Sequence, residues 1–82
     1  MFSPCDPTIK YDLPENSQVQ VAIYDMLGRK VRTLVSGFEN AGFNAVQWQG
    51  KNDFGLSVGA GVYICQIQAG DFVQTRKMIL LK

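Results

Sequence analysis

Side chains capable of acid–base or nucleophilic chemistry are present in this chain, but their positions are typical of turns. A Ser-His triad is excluded because the sequence contains no histidine to partner its four serines, Ser3, Ser17, Ser36 and Ser57. Carboxylates in turns usually accept hydrogen bonds from backbone N–H groups. Nearly all of the acidic residues lie in or beside predicted turns: Asp6, Asp12, Glu15, Asp25, Glu39, Asp53 and Asp71. These residues predict a protein that is not an enzyme.

Ligand-binding patterns are equally sparse. Asn52 and Asp53 could offer oxygens to a calcium ion, but the sequence around them supplies too few further ligands. The stretch "GAGVYI", which starts at Gly59, lacks the third glycine of a nucleotide-binding loop and precedes a strand instead of a helix. We therefore expect neither a metal ion nor a cofactor.

The two cysteines, Cys5 and Cys65, leave two alternatives open. A disulfide between them would close a loop of about 60 residues and stabilise the fold by roughly 4 kcal/mol in the chain-entropy model. Otherwise both are buried thiols that behave as small apolar side chains. Cys65 lies in an apolar segment without a nearby base, which predicts an inert thiol.

Length and charge restrict the protein to one small, nearly neutral domain. The chain has 82 residues, 46% of them hydrophobic, and a formal net charge of +1. This balance gives no electrostatic reason to expect binding to nucleic acid or to an anionic membrane. No apolar run reaches the roughly 18 residues of a membrane span. The opening "MFSPCDP" lacks the pattern of a secretory signal peptide. We expect residues 1–82 to form a single domain.

Apolar residues alternate with polar ones along most of the chain, which predicts β-strands. Broken alternation near Thr33 and Leu34 indicates a bulge or a sheet edge, and Gly70-Asp71 fits a two-residue hairpin. Short strands between turn signals predict an all-β fold, a seven-stranded antiparallel immunoglobulin-like β-sandwich. The seven segments are "TIKYDL", "SQVQVAIYD", "RKVRTLVSGF", "FNAVQWQG", "LSV", "GVYICQIQAG" and "FVQTRKMILLK".

One face of each strand supplies the expected core. Trp48, the only tryptophan, suits the centre of a sandwich, whereas Phe54 and Phe72 lie at loop positions and are expected to be exposed. Exposed apolar side chains could form a surface for a partner. The predicted core residues are Ile9, Tyr11, Leu13, Val19, Val21, Ile23, Val46, Trp48, Tyr63, Cys65, Ile67 and Ala69.

Two further segments carry local predictions. In "IYDMLGRKVRTL" we expect Asp25 to accept backbone N–H bonds, Gly28 to adopt a positive φ, and Arg29 to pair with Asp25. At the C-terminal end, basic residues bracket "MILL". They indicate either a solvated face of the last strand or a strand edge that a partner recognises.

Four segments in order, "IYDMLGR", "WQGKN", "GVYICQI" and the terminal "KMILLK", carry a family resemblance. From about residue 3 to residue 82 the chain resembles the C-terminal sorting domain of type IX secretion substrates. It also resembles the immunoglobulin-like domain of flagellar hook-capping proteins. The first resemblance implies a non-enzymatic sorting signal at the C-terminal end of a larger secreted protein. The recognition positions that it implies are Asp25, Gly28, Arg29, Gly61, Tyr63, Lys77 and Lys82.

The sorting interpretation also implies partners and a location. The partners would be the outer-membrane secretion machinery, a sortase-like peptidase and a covalently linked N-terminal passenger. The location would be the cell surface or the medium, reached through the periplasm. The chain departs from the family pattern where "SPCDP" replaces the frequent opening "NPFNP" and where Cys65 replaces a frequent aromatic residue. Both cysteines thus replace bulky apolar residues, which favours their meeting in space.

Two other functions stay open at this stage. One is a structural accessory domain, hook-cap-like or adhesin-like, that packs against neighbouring proteins. The other is a sugar-binding module, which would need an exposed platform of aromatic side chains. An isolated sandwich with open edge strands could also form a homodimer.

Overall fold

The computed structural model describes residues 8–81, and this part of the chain forms six antiparallel β-strands. They are β1 (Thr8–Leu13), β2 (Ser17–Tyr24), β3 (Lys30–Glu39), β4 (Gly42–Gln47), β5 (Gly61–Ala69) and β6 (Phe72–Leu80). β1 pairs with β4, and the other strands form a second sheet in the order β3-β2-β5-β6. The all-β antiparallel prediction is confirmed, with six strands instead of seven in the described residues. None of these residues lies in a helix that could span a membrane.

The prediction of a seventh strand, "LSV" at residues 56–58, is wrong. Its only ladder contact is an isolated bridge between Ser57 and Lys51. The Val58 N–H donates instead to the Gly50 carbonyl at 3.0 Å, within the loop that joins β4 to β5. Three residues offer too few strand pairs to compete with such local bonds. Leu56 is consequently 64% exposed.

A single apolar core lies between the two sheets. Alternate residues of β1, β2 and β5 point into it, as their period-two pattern predicts. Trp48 follows β4 directly and is completely buried, and Val46 packs against the core from β4. The core cluster consists of Ile9, Tyr11, Leu13, Val19, Val21, Ile23, Trp48, Tyr63, Cys65, Ile67, Ala69 and Leu80.

The irregularity predicted near Thr33 and Leu34 is a β-bulge at the sheet edge. Val21 lies opposite Val35, but the next residue, Ala22, lies opposite Thr33. Leu34 is therefore the extra residue of β3, and its side chain packs against the core. A second register shift follows between Ile23 and Tyr24. Both shifts increase the local twist of β3 just where the chain leaves the turn at residues 25–29.

Polar contacts connect the two sheets at their margins. The Tyr11 hydroxyl donates to Glu39 Oε1 at 3.4 Å and thereby links β1 to the end of β3. Burial, and then the neighbouring Glu39 carboxylate, raises the pKa of Tyr11. On the opposite margin, the Arg76 guanidinium of β6 donates to the Lys10 carbonyl of β1. The smaller sheet is thus attached to both outer strands of the larger one.

The depth of the core predicts unequal costs for the same substitution on β5 and β6. Ile67 is 1% exposed, whereas Ile79 is 61% exposed. Ile67→Ala should lower the free energy of unfolding by about 2–5 kcal/mol, because it removes buried methyl groups and leaves a cavity. Ile79→Ala should cost no more than about 0.5 kcal/mol. Urea unfolding monitored by Trp48 fluorescence measures both. Equal costs would contradict this core.

Candidate functional site

The groups suited to covalent or metal chemistry are dispersed or inert. Burial raises the pKa of the Cys65 thiol to about 11, with Arg76 acting weakly in the opposite direction. A thiol protonated at neutral pH is a poor nucleophile. Within residues 8–81, no cluster of three or more His, Cys, Asp or Glu side chains could hold a metal ion. Cys5 lies outside the described residues, so the disulfide with Cys65 stays a prediction.

The turn between β2 and β3 is built around the Asp25 carboxylate. Its Oδ1 atom accepts the N–H groups of Leu27 and Arg29, both at 2.9 Å. The Gly28 N–H donates to the Asp25 carbonyl at 3.0 Å, and the Asp25 N–H donates to the Arg29 carbonyl at 3.0 Å. Gly28 has a φ of 83°, which disfavours residues with a Cβ atom. Arg29 Nε closes the turn with a 3.0 Å ion pair to Asp25 Oδ2.

The loop between β4 and β5 contains a second turn with the same bonds. Asn52 Oδ1 accepts the N–H groups of Phe54 at 2.9 Å and Leu56 at 3.0 Å. The Gly55 N–H donates to the Asn52 carbonyl at 2.9 Å, and the Asn52 N–H donates to the Leu56 carbonyl at 2.9 Å. Gly55 has a φ of 81°. The segments "DMLGR" and "NDFGL" are therefore two copies of one turn.

The repeated turn has a signal in the sequence that the strand-based interpretation missed. Both copies have Asp or Asn in the first position and glycine in the fourth. The first residue supplies an oxygen that accepts two N–H groups, and the glycine supplies the positive φ.

The second turn is attached to the strand that follows the first. The Asp53 N–H donates to the Val31 carbonyl at 3.1 Å, and Asp53 Oδ1 accepts the Thr33 N–H at 3.0 Å. The Arg32 guanidinium donates to the Asn52 carbonyl at 3.1 Å. These bonds hold the two turns side by side across an open cleft.

Side by side, the two turns expose apolar side chains at one end of the sandwich. Leu27 and Phe54 occupy the equivalent third position and are 77% and 87% exposed. Met26 and Leu56 are each 64% exposed. We call these four residues the paired-turn surface. They form the candidate functional site, because the two turns lie along one cleft and bring four exposed apolar side chains to the same end of the sandwich, and grouped exposed apolar side chains are typical of a contact surface.

The loop that carries the second turn is anchored to the core at both ends. Trp48 Nε1 donates to the Lys51 carbonyl at 2.9 Å, and the Tyr63 hydroxyl donates to the Gly59 carbonyl at 2.6 Å. The two rings pack edge to face, with centroids 5.0 Å apart and an angle of 71° between their planes. One buried aromatic pair thus fixes the loop on either side of the second turn.

Within residues 8–81, the predicted recognition residues lie on several different elements, and their role in recognition stays a prediction. Asp25, Gly28 and Arg29 share the first turn, where the structure confirms the expected carboxylate bonds, positive φ and ion pair. Tyr63 belongs to the core. Gly61 is the first residue of β5, and Lys77 lies on the exposed face of β6. Lys82 is outside the described residues.

Within residues 8–81, the aromatic side chains, including the exposed Phe38 of β3, do not form a platform of the kind a sugar-binding module needs. Trp48 and Tyr63 are in the core. Phe43 lies on the outer face of the β1-β4 sheet, Phe54 lies in the second turn, and Phe72 begins β6. These positions are spread over the molecule, and they offer no continuous stacking surface.

Comparisons with known proteins agree on one family. The family model described as the FlgD Ig-like domain matches residues 6–71. The crystal structure of FlgD from P. aeruginosa is similar, with a TM-score of 0.72 and 27% sequence identity. The match covers 90% of this chain and 58% of that FlgD chain, so this chain spans less than two thirds of its relative. A comparison with curated proteins finds no match.

The interpretation as a type IX sorting domain is wrong. The family model and the FlgD structure both support the other resemblance, to the immunoglobulin-like domain of hook-capping proteins. The secretion machinery, the peptidase, the passenger and the surface location were expected only from the sorting interpretation, and they have no other support. The immunoglobulin-like β-sandwich is common to both families, which explains why the fold prediction survives this correction.

Glycine substitutions should distinguish the two turns from the rest of the loop. Gly28→Ala and Gly55→Ala should each lower the free energy of unfolding by about 1–2 kcal/mol, because an alanine is strained at φ values of 83° and 81°. Gly59→Ala is the matched control. Gly59 does not have a positive φ, and its added Cβ would meet open space.

The control variant should be neutral or stabilising by up to about 1 kcal/mol, since alanine restricts the unfolded chain. Thermal or urea unfolding of the three variants provides the comparison. If Gly28→Ala and Gly55→Ala behave like Gly59→Ala, the turn conformations are not those described.

The bonds to Asp25 predict a pH dependence of stability. The backbone N–H of Arg29 is the largest cause of a lowered Asp25 pKa, and the Leu27 N–H and the Arg29 side chain act in the same direction. A carboxylate whose pKa is lowered in the folded state stabilises the fold at every pH above its ordinary, unfolded-state pKa. This contribution is lost as the pH falls through the folded-state pKa. Asp25→Asn should therefore be most destabilising near pH 7, and its difference from the unaltered protein should shrink below about pH 4.

Unfolding experiments from pH 7 to pH 2.5, with an NMR titration of the Asp25 carboxyl carbon, measure this effect. A titration midpoint at or above the ordinary aspartate value would show that the turn bonds do not favour the charged form.

Proposed function

Since the chain belongs to the FlgD Ig-like domain family, we propose that it is a structural accessory domain of the flagellar hook-capping type. It acts by packing against a neighbouring protein rather than by transforming a substrate. The family is a structural, non-catalytic one. The observation that carries the proposal is the paired-turn surface, on which Leu27 and Phe54 are held in solvent by two equivalent turns.

Rigid presentation makes this surface suited to binding. In each turn, backbone N–H groups donate four internal hydrogen bonds, which close around one side-chain oxygen and one glycine. Binding by a mobile loop loses conformational entropy when the loop becomes ordered, whereas a turn already ordered by its own bonds loses little. When side chains on such turns are buried by a partner, less of the favourable free energy is therefore offset by the entropy of ordering. Aromatic side chains such as Phe54 also bury large areas and contribute strongly to contact energies at interfaces.

The charges around the paired-turn surface indicate the chemistry of the partner. Arg29, Lys30 and Lys51 are exposed near the two turns. The two turns also carry two carboxylates, Asp25 and Asp53, and Asp25 is paired with Arg29. Since the basic side chains outnumber the carboxylates, the rim has a small net positive charge. A partner with an apolar centre and acidic residues around it would match both features.

Site-specific crosslinking tests this function with a control from the same chain. A photoreactive benzoylphenylalanine replaces Phe54 in the full-length protein, in the cells that produce it. The control replaces Phe43, which is 73% exposed but lies on the outer face of β4. The Phe54 variant should crosslink to one discrete protein, identified by mass spectrometry, while the Phe43 variant should not.

A second substitution links the crosslink to the paired-turn surface. Leu27→Glu places a negative charge beside the expected acidic partner, and it should reduce the Phe54 crosslink by about tenfold or more. The fold should be unaffected, because Leu27 is 77% exposed. A flagellar or other assembly-forming protein as the crosslinked partner would support the proposal. Equal crosslinking from both positions, or a secretion pore or peptidase as the partner, would contradict it.

A further inference from the structure

The two outer strands of the larger sheet, β3 and β6, differ in the hydrogen bonds along their outer edges. The second turn covers the first part of the β3 edge, through the bonds between Asp53 and the backbone of Val31 and Thr33. β6 is the other outer strand. Among residues 8–81, no backbone group hydrogen-bonds to the side of β6 that faces away from β5. In this part of the chain the start of the β3 edge is thus covered, whereas the β6 edge is open along its length.

β6 is long enough to accept a further strand. It has nine residues, all of them in register with β5. Every second residue of an outer antiparallel strand directs its N–H and C=O groups away from the sheet, so about four or five residues are available for pairing. Extended peptides that add to such edges gain affinity from these backbone bonds and selectivity from alternate side chains.

The two faces of β6 define which side chains a new strand would meet. On the inner face, Met78 packs against the core and Leu80 is buried. On the outer face, Val73 and Ile79 are 51% and 61% exposed, with Lys77 between them. An apolar row on the incoming strand would extend the core beside Met78.

The charges on β6 disfavour a second copy of this chain as the added strand. Full antiparallel pairing of β6 with itself would place Arg76 directly opposite Arg76, and a two-residue shift in one direction would place Lys77 opposite Lys77. The shift in the other direction pairs Thr75 with Thr75; it avoids a like-charge pair but leaves Lys77 opposite Val73. Like charges directly opposite each other destabilise a strand pair. Lys77 has no ion-pair partner within the described residues, where Asp25–Arg29 is the only ion pair. An incoming carboxylate would be favoured at that position.

We propose that β6 accepts a strand from a partner protein, an extended segment that alternates apolar and acidic residues. Its backbone pairs with the open edge, its apolar row continues the core beside Met78, and its acidic row lies next to Lys77. This surface is separate from the paired-turn surface, so the inference does not depend on the function proposed above.

Peptide binding followed by NMR tests the inference. The probes are two ten-residue peptides, one alternating valine and glutamate and the other alternating valine and lysine, added to the ¹⁵N-labelled protein. The valine–glutamate peptide should shift the amide resonances of β6 and slow their hydrogen exchange, while those of β3 stay unchanged. The valine–lysine peptide should bind about tenfold more weakly. Equal binding of the two peptides, or shifts centred on another strand, would overturn the proposal.

A charge reversal and a backbone modification make the test specific. Lys77→Glu should exchange the preference between the two peptides, since Lys77 lies on an exposed face and its replacement leaves the core intact. Methylating every second backbone nitrogen of the valine–glutamate peptide removes the donors from one of its edges. Of the two possible methylated peptides, one should retain binding and the other should lose it. Equal binding by both would show that the peptide does not pair with the edge of β6.

Discussion

The burial of Trp48 is the constraint on which the functional end of this domain depends. This side chain lies just after β4 and is completely buried. Its indole N–H donates to the Lys51 carbonyl. Its partner ring, Tyr63, bonds the Gly59 carbonyl at the other end of the same loop. A buried indole or phenol needs a hydrogen-bond partner. Satisfying these two donors fixes both ends of the loop and therefore the position of the second turn.

Beyond these two loop ends, the turns and the edge of β3 are held in place by hydrogen bonds rather than by apolar contacts. The loop gives Asn52 to the second turn and Asp53 to the edge of β3, and β3 begins where the Asp25 turn ends. A small domain has a thin core, so its surface cannot be ordered by packing alone. Here two side-chain oxygens and two glycines order the surface turns without burying much apolar area. The same arrangement covers the start of the β3 edge, whereas the edge of β6 is open within residues 8–81.

The strands and the first turn could be predicted from the sequence because their signals are local. Alternation identified six strands, the break at Thr33 and Leu34 identified the bulge, and Asp25 with Gly28 identified the turn. The pairing of the two turns could not be predicted in this way, since it depends on which loop crosses which edge. "LSV" was misassigned because a segment of three residues carries no reliable period.

The error in function has a related cause. The residues that carried the resemblance, among them Asp25, Gly28, Trp48 and Tyr63, are those that form the turn and the core. Such residues report the fold, and one fold serves several functions. The exposed residues Leu27 and Phe54, on which the proposed packing depends, carry no pattern that a strand-based analysis would recognise. Only their place on two equivalent turns distinguishes them from other exposed apolar residues.

We expect the two turns to be ordered before any partner binds. ¹⁵N relaxation of the free domain measures this order at the amides of Leu27 and Phe54. Order parameters should be about 0.85, as in the neighbouring strands, because each amide donates to a fixed side-chain oxygen. Values below about 0.6 at both amides would show that the turns are mobile in solution and that neither presents a preformed surface.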